Sequence, residues 1–294
     1  MKKMNRIAAL VLALVMLLAL TGCGKMTTEK LVLKMVEATG GKMMTQATTT
    51  MDLELGMKMT MEQMGLNMDL AMDIAYRMDM KMQPDPYRMY GDITMDMAME
   101  RMGQTMNETL NSQTYMELAD GKVKNYVYDE STGIWLSEEV DVAEMMDSIA
   151  KGMDYSFLKD MIPEITMDEE TQVLNGKEVY VLRMTITGAQ MQNAMGGAVD
   201  MESMLGQAGL NGELDFSALE VPTVMYVDAT TYLPVKMEME IIGMGEMMKS
   251  MMGQMVGAMD GMGLDISIPV CKVVYENIGF DPVEVPEVPA EARN

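Results

Sequence analysis

The sequence predicts an α+β protein built on one large, curved antiparallel sheet with helices covering its concave face. Three observations carry that prediction. Apolar and polar residues alternate almost without interruption from Met51 to Met82. Turn residues break the pattern at hairpin spacing, and later segments repeat their apolar residues at helical intervals.

The second predicted strand is the clearest. Leu66, Met68, Leu70, Met72, Ile74, Tyr76, Met78, Met80 and Met82 alternate with Asn67, Asp69, Ala71, Asp73, Ala75, Arg77, Asp79 and Lys81. Residues i and i+2 share a face in a strand and in no helix. The first strand shows the same alternation, with Met51, Leu53, Leu55, Met57, Met59 and Met61 set against Asp52, Glu54, Lys58, Thr60 and Glu62. Gln63-Met64-Gly65 joins the two as a hairpin. After the break at Pro84-Asp85-Pro86 the alternation resumes at Ile93, Met95, Met97 and Met99. Shorter strands are expected over 106–118, 122–128 and 134–136, then over 178–187, 222–228, 233–242 and 264–276. Helical periodicity marks 142–153, where Asp141 is placed as N-cap, then 190–208 and 244–262. Strands of this length with one polar side belong to a sheet with one wet face, so helices must cover the other.

No Pro/Gly-rich linker divides the chain. The expected organisation is a signal peptide over 1–22, a linker with a short helix over 23–47, one domain over 48–276, and an acidic Pro-rich tail over 277–294.

Charge narrows the function classes. Lys plus Arg total 22, Asp plus Glu 45, and there is no His, a net charge of −23. Nucleic acid is excluded as a partner, because phosphate binding needs Lys and Arg. Without imidazole there is no Ser–His or Cys–His relay. The sequence also lacks a Walker A motif, a Gly-x-Ser-x-Gly elbow and a dinucleotide fingerprint. Asp69, Asp73 and Asp79 sit on the wet strand face as solubility charges, not as a Ca²⁺ loop. No enzyme chemistry, cofactor or metal site is expected.

The N-terminus carries an address. A short basic stretch, Met1 to Arg6, precedes fourteen apolar residues from Ile7 to Leu20, then Leu20-Thr21-Gly22-Cys23. The apolar run is short for a spanning helix and suits a signal-peptide core. Leu-Thr-Gly-Cys looks like a bacterial lipobox, in which Cys23 receives diacylglycerol. The expectation is a lipid-anchored protein on the extracytoplasmic face of the cell membrane. Cys271 then has no disulfide partner, and its apolar strand context predicts a buried thiol.

Methionine is the compositional outlier, at 45 residues beside three Phe and one Trp. Met as ordinary core filler is one reading. A second is a deformable apolar pocket, since the unbranched thioether repacks around varied shapes. Soft-metal binding, Cu(I) or Ag(I), is the third and is disfavoured, because a sheet-wide stripe is a surface rather than a cage. On the pocket reading, the lining would comprise Met68, Leu70, Met72, Ile74, Met78, Met80, Met95 and Met97, with Met248, Met251 and Met255 from the helical stripe. An alternative is a structural or interaction lipoprotein whose core is filled and which takes no ligand.

The lipobox, the Met-x-Met strands and the hairpin Met225-Tyr226-Val227-Asp228-Ala229-Thr230-Thr231-Tyr232-Leu233-Pro234-Val235-Lys236-Met237 together resemble a group of Met-rich bacterial lipoproteins. Those are similar in turn to the lipoprotein-carrier superfamily of the LolA and LppX/LprG type. The resemblance implies a half-barrel of about eleven antiparallel strands closed by helices around a cavity for acyl chains. It transfers no catalytic residue. This chain departs from the periplasmic carriers in its own lipidation and its Met content, which favours a tethered binder over a shuttle.

Overall fold

The computed structural model describes residues 25–40, 47–63, 66–101, 103–119, 121–130, 132–140, 155–190, 216–256 and 262–293. Cys23 and the signal segment, the helix expected over 142–153 with its Asp141 cap, and 191–208 of the next expected helix lie outside them.

Helix α1 (Thr28–Thr39) opens the described chain. Thr27 caps it, its Oγ1 accepting from the Lys30 N–H at 3.3 Å, and Glu29 complements the positive end of the helix dipole. Its apolar stripe, Leu31, Val32 and Met35, is fully buried.

Six strands follow as a meander: β1 (Thr48–Gln63), β2 (Leu66–Pro84), β3 (Tyr87–Arg101), β4 (Gln104–Ala119), β5 (Lys122–Asp129) and β6 (Ile134–Val140). Two 3-10 turns, Tyr155–Lys159 and Ile162–Glu164, lead to β7 (Thr166–Met167), β8 (Gln172–Leu174), β9 (Lys177–Thr187), β10 (Glu220–Asp228) and β11 (Pro234–Glu240). Helix α2 (Met244–Val256) and strand β12 (Met262–Gly279) complete the elements before a short 3-10 turn at Ala290–Arg293.

All twelve strands form one antiparallel sheet in the order β6-β5-β4-β3-β2-β1-β12-β11-β10-β9-β7, with β8 also on β9. The order is open, with no pairing between its two ends. The last strand, β12, is inserted between β1 and β11 and joins the two halves. Among the described residues the sheet thus has twelve strands, where about eleven were expected. β7 and β8, at two and three residues, are too short to leave a periodicity.

Local chemistry fixes the hairpins. Asn175 and Gly176, at φ 51° and 78°, make the two-residue turn between β8 and β9 that follows the strand twist. The β10–β11 turn is held by Asp228, whose Oδ1 accepts from the N–H groups of Thr230 and Thr231, both at 2.8 Å. Burial opposes its ionisation, but those N–H groups outweigh it and hold the carboxyl below its ordinary range.

The helical stripe expected over 244–262 is shorter in the structure. α2 ends at Val256, and Met262 opens β12, where it pairs with Gln63. A run of Met at i+3 and i+4 cannot by itself mark where the pattern gives way to the pairing of β12 with β1. β12 also continues three residues past the expected boundary at 276.

Candidate functional site

The register turns the alternation of each strand into apolar rows that cross the sheet. One row runs Leu182–Met225–Met237–Tyr275–Met51–Met78–Ile93 through β9, β10, β11, β12, β1, β2 and β3. The next runs Met184–Thr223–Met239–Val273–Leu53–Tyr76–Met95–Leu110 and reaches β4. Cys271–Leu55–Ile74–Met97 and Met57–Met72–Met99–Met106 continue the same face toward the β1–β2 turn. A one-residue slip in any pair would bring charged side chains into these rows, so burial of this face specifies the register.

The two ends of the face differ. At β9–β10 it is closed. Leu31, Val32 and Met35 of α1 pack with Leu158, Met161 and Ile165 of the 3-10 region against Leu182, Met184, Met225 and Val227. Over β1–β3 the same rows are only half-buried. Tyr155 borders the closed zone. It packs on the closed core, and burial, reinforced by Tyr275, pushes its hydroxyl up to about 12. Burial likewise raises Tyr76 and Tyr275, and the Tyr76 hydroxyl donates to Met78 Sδ at 3.4 Å. Gly91 is where two rows crowd: a Cβ there would lie 2.6 Å from Met78 Cε and 2.8 Å from Thr114 Cγ2.

The structure places the expected lining residues as follows. Met68, Leu70, Met72, Ile74, Met78 and Met80 lie along one side of β2, and Met95 and Met97 lie on the same side of β3, paired with Tyr76 and Ile74. All eight are half-buried. Met248 is half-buried on α2, which packs on β12. The side chains of Met251 and Met255 lie outside the described residues. Sequence reasoning left out the equally placed Met51, Leu53, Met237, Met239, Val273 and Tyr275. Met51 and Leu53 follow from the β1–β2 hairpin, whereas Met237, Met239, Val273 and Tyr275 come into line only through the pairing of β1 and β11 with the distant β12. Cys271, expected to be buried, is 6% exposed on this face, and burial raises its thiol pKa.

The opposite face is the wet one over its middle. Asp69, Asp73 and Asp79 are exposed there, and Arg77 bridges Asp52 at 3.1 Å and Asp79 at 3.2 Å. It is not polar throughout, as the long alternating strands led us to expect. Tyr90, Tyr115 and Tyr126 line up across β3, β4 and β5, Trp135 of β6 joins them, and Val288 and Ala292 of the C-terminal segment pack against the cluster. Arg293 fastens that segment to Glu117 at 2.8 Å.

Among the described residues no group of three or more Asp, Glu or Cys side chains is placed to hold a metal ion. None of the described helices is long and apolar enough to cross a membrane.

No protein-family model matches the sequence, and no curated protein matches it. Solved structures similar to this chain include LprF from Mycobacterium bovis, at 13% identity over 90% of this chain and 99% of that one, with a TM-score of 0.34. Lipoprotein LppX from Mycobacterium tuberculosis is similar at 10% identity over 88% and 98%, also with a TM-score of 0.34. A DUF1329 family protein from Desulfovibrio piger is similar at 11% identity over 85% and 90%, with a TM-score of 0.19.

Proposed function

We propose that this protein is a membrane-tethered extracytoplasmic lipoprotein that binds a lipid or another apolar ligand on its Met-lined sheet face. The observation that carries the reading is the contrast along the apolar rows. They continue unbroken from β9 to β3, shut by α1 at one end and half-open over β1–β3. An apolar surface crossing several strands is too large to leave against water, at about 25 cal/mol per Å², and marks a site of association. Helices expected from the sequence would roof the half-open part, with the ligand between roof and sheet. Thioethers suit this role because they follow acyl chains of different shape without the rigid fit of aromatic rings. The tether is Cys23, whose diacylglyceryl group would add two acyl chains, enough for stable anchoring where one is marginal.

Filled core without ligand is the competing reading, and the packed cluster beneath α1 favours it at the β9–β10 end. Native mass spectrometry separates the two. The chain from residue 23 onward with Cys23→Ala, made without the apolar segment 1–22 and so neither acylated nor inserted, is purified without detergent. Co-purified lipid mass and uptake of a fluorescent fatty acid are expected. A bare mass with no uptake would refute the binder.

A further inference from the structure

The face opposite the methionine rows carries a second concavity, between the β5–β6 hairpin and the C-terminal segment. It is an open groove of about 800 Å³ whose lining includes Gln113, Tyr128, Ile134, Trp135, Ser137 and Glu291. Strand pairing puts Trp135 beside Tyr128 and Ser137 beside Tyr126, all on the side away from the Met rows. We propose that this groove is a binding site for a neutral oligosaccharide.

The argument starts from the rings. Trp135 and Tyr128 lie 5.1 Å apart at 47°, and Tyr115 meets Trp135 edge-on at 5.7 Å. Trp135 is therefore set in place before any ligand arrives, while remaining only half-buried. A preset aromatic surface with a free flank takes up the C–H face of a sugar ring at little entropic cost. The rim supplies the other half of the chemistry. The Gln113 amide donates and accepts, the Ser137 hydroxyl does both, and the Glu291 carboxylate accepts, which suits hydroxyl groups at the ring edge.

Other ligand classes fit less well. Among the described residues, neither Lys nor Arg lines the groove, while Glu291 does, so phosphate, sulfate and carboxylate groups meet repulsion. A purely apolar ligand would strip water from Gln113, Ser137 and Glu291 without replacing their hydrogen bonds. The volume lies within the range of small-ligand sites. The second wall is anchored as well. Val288 and Ala292 are buried against Tyr115 and Tyr126, and Arg293 grips Glu117.

Trp135 is the chain's single tryptophan, so its emission reports on this groove alone. The full chain is titrated with cellotetraose, chitotetraose and maltotetraose while Trp135 fluorescence is followed, and binding is repeated by calorimetry on variants. At least one sugar is expected to give a saturable change with Kd below about 1 mM. Gln113→Ala and Trp135→Ala should weaken it about tenfold or more, about 1.4 kcal/mol, with Glu100→Gln, at an exposed position of β3 outside the groove, unchanged. Circular dichroism checks that each variant folds, and Trp135→Phe, which keeps a stacking ring, should retain part of the affinity. No saturable change with any of the three up to about 10 mM, or binding indifferent to Gln113→Ala and Trp135→Ala, overturns the site. Neither result bears on lipid uptake by the opposite face.

Discussion

Truncating methionines at the two ends of the apolar face separates packing from ligand lining. Met35 on α1 is 0% exposed and touches the closed core at β9–β10. Shortening it to alanine removes the side chain's transfer energy and leaves an enclosed void, together about 2–5 kcal/mol. Met72 on β2 is half-buried in a row of the half-open zone. Its removal gives up only part of the transfer term, about 1 kcal/mol, with no sealed cavity. Urea unfolding of the same Cys23→Ala chain from residue 23 onward, followed by circular dichroism, reads both values from the shift in midpoint at constant slope. Fatty-acid uptake read on the same samples should behave oppositely: lowered by Met72→Ala, and nearly unchanged by Met35→Ala wherever the protein remains folded. If Met72→Ala costs more than about 2 kcal/mol and leaves uptake untouched, the β1–β3 zone is sealed core and the division of the face into two zones fails.

Lys236 sits between Glu276 at 2.7 Å and Glu238 at 2.9 Å; burial opposes its charge, but the two carboxylates outweigh it and hold its pKa above the ordinary lysine range. Its contribution is therefore complete below the unfolded lysine value near about 10.4 and lost as pH rises through the higher folded value, so Lys236→Met should flatten the alkaline fall in stability. The Cys271 thiol, buried and raised, should react with a disulfide reagent far more slowly in the native protein than in urea; equal rates would place it at the surface. Gly91→Ala should cost about 1–3 kcal/mol by urea unfolding, because the new methyl displaces Met78 and Thr114, and pairing it with Met78→Ala should recover part of that loss.

Much of the sheet was legible because its strands are long. Nine alternating residues from Leu66 to Met82 admit one periodicity, and β2 follows it to Pro84. The side that faces the core was equally readable, since only one side is apolar. What the alternation does not contain is which strands meet. The pairing of β12 with β1 links residues such as Thr49 and Glu276, 227 positions apart. Met237, Met239 and Tyr275 therefore joined the lining only when that register was known. The outer aromatic cluster was hidden for the same reason. Tyr90, Tyr115, Tyr126 and Trp135 each occupy a polar-side position in a different strand, and none is unusual alone. The C-terminal segment read as an acidic Pro-rich stretch, yet Val285 and Val288 are 4% and 7% exposed. Its valines, Val283, Val285 and Val288, are spaced two and then three apart with Pro between them, too short and irregular a pattern to mark a strand or a helix.

Insertion of the final strand has a kinetic consequence. Each half of the sheet joins neighbours in sequence and can assemble by short loop closures as the chain emerges. Their union waits for β12, which must find β1 and β11 only after the residues from 64 to 261 have been made. Contacts of such long sequence separation form slowly. Until they form, two unzipped borders, one of them the sixteen-residue β1, stand open to any other extended chain. A nonsense mutation before residue 262 should therefore yield aggregates rather than a shortened, working protein. A chain of this topology should also depend on chaperoning for the interval between β1 and β12.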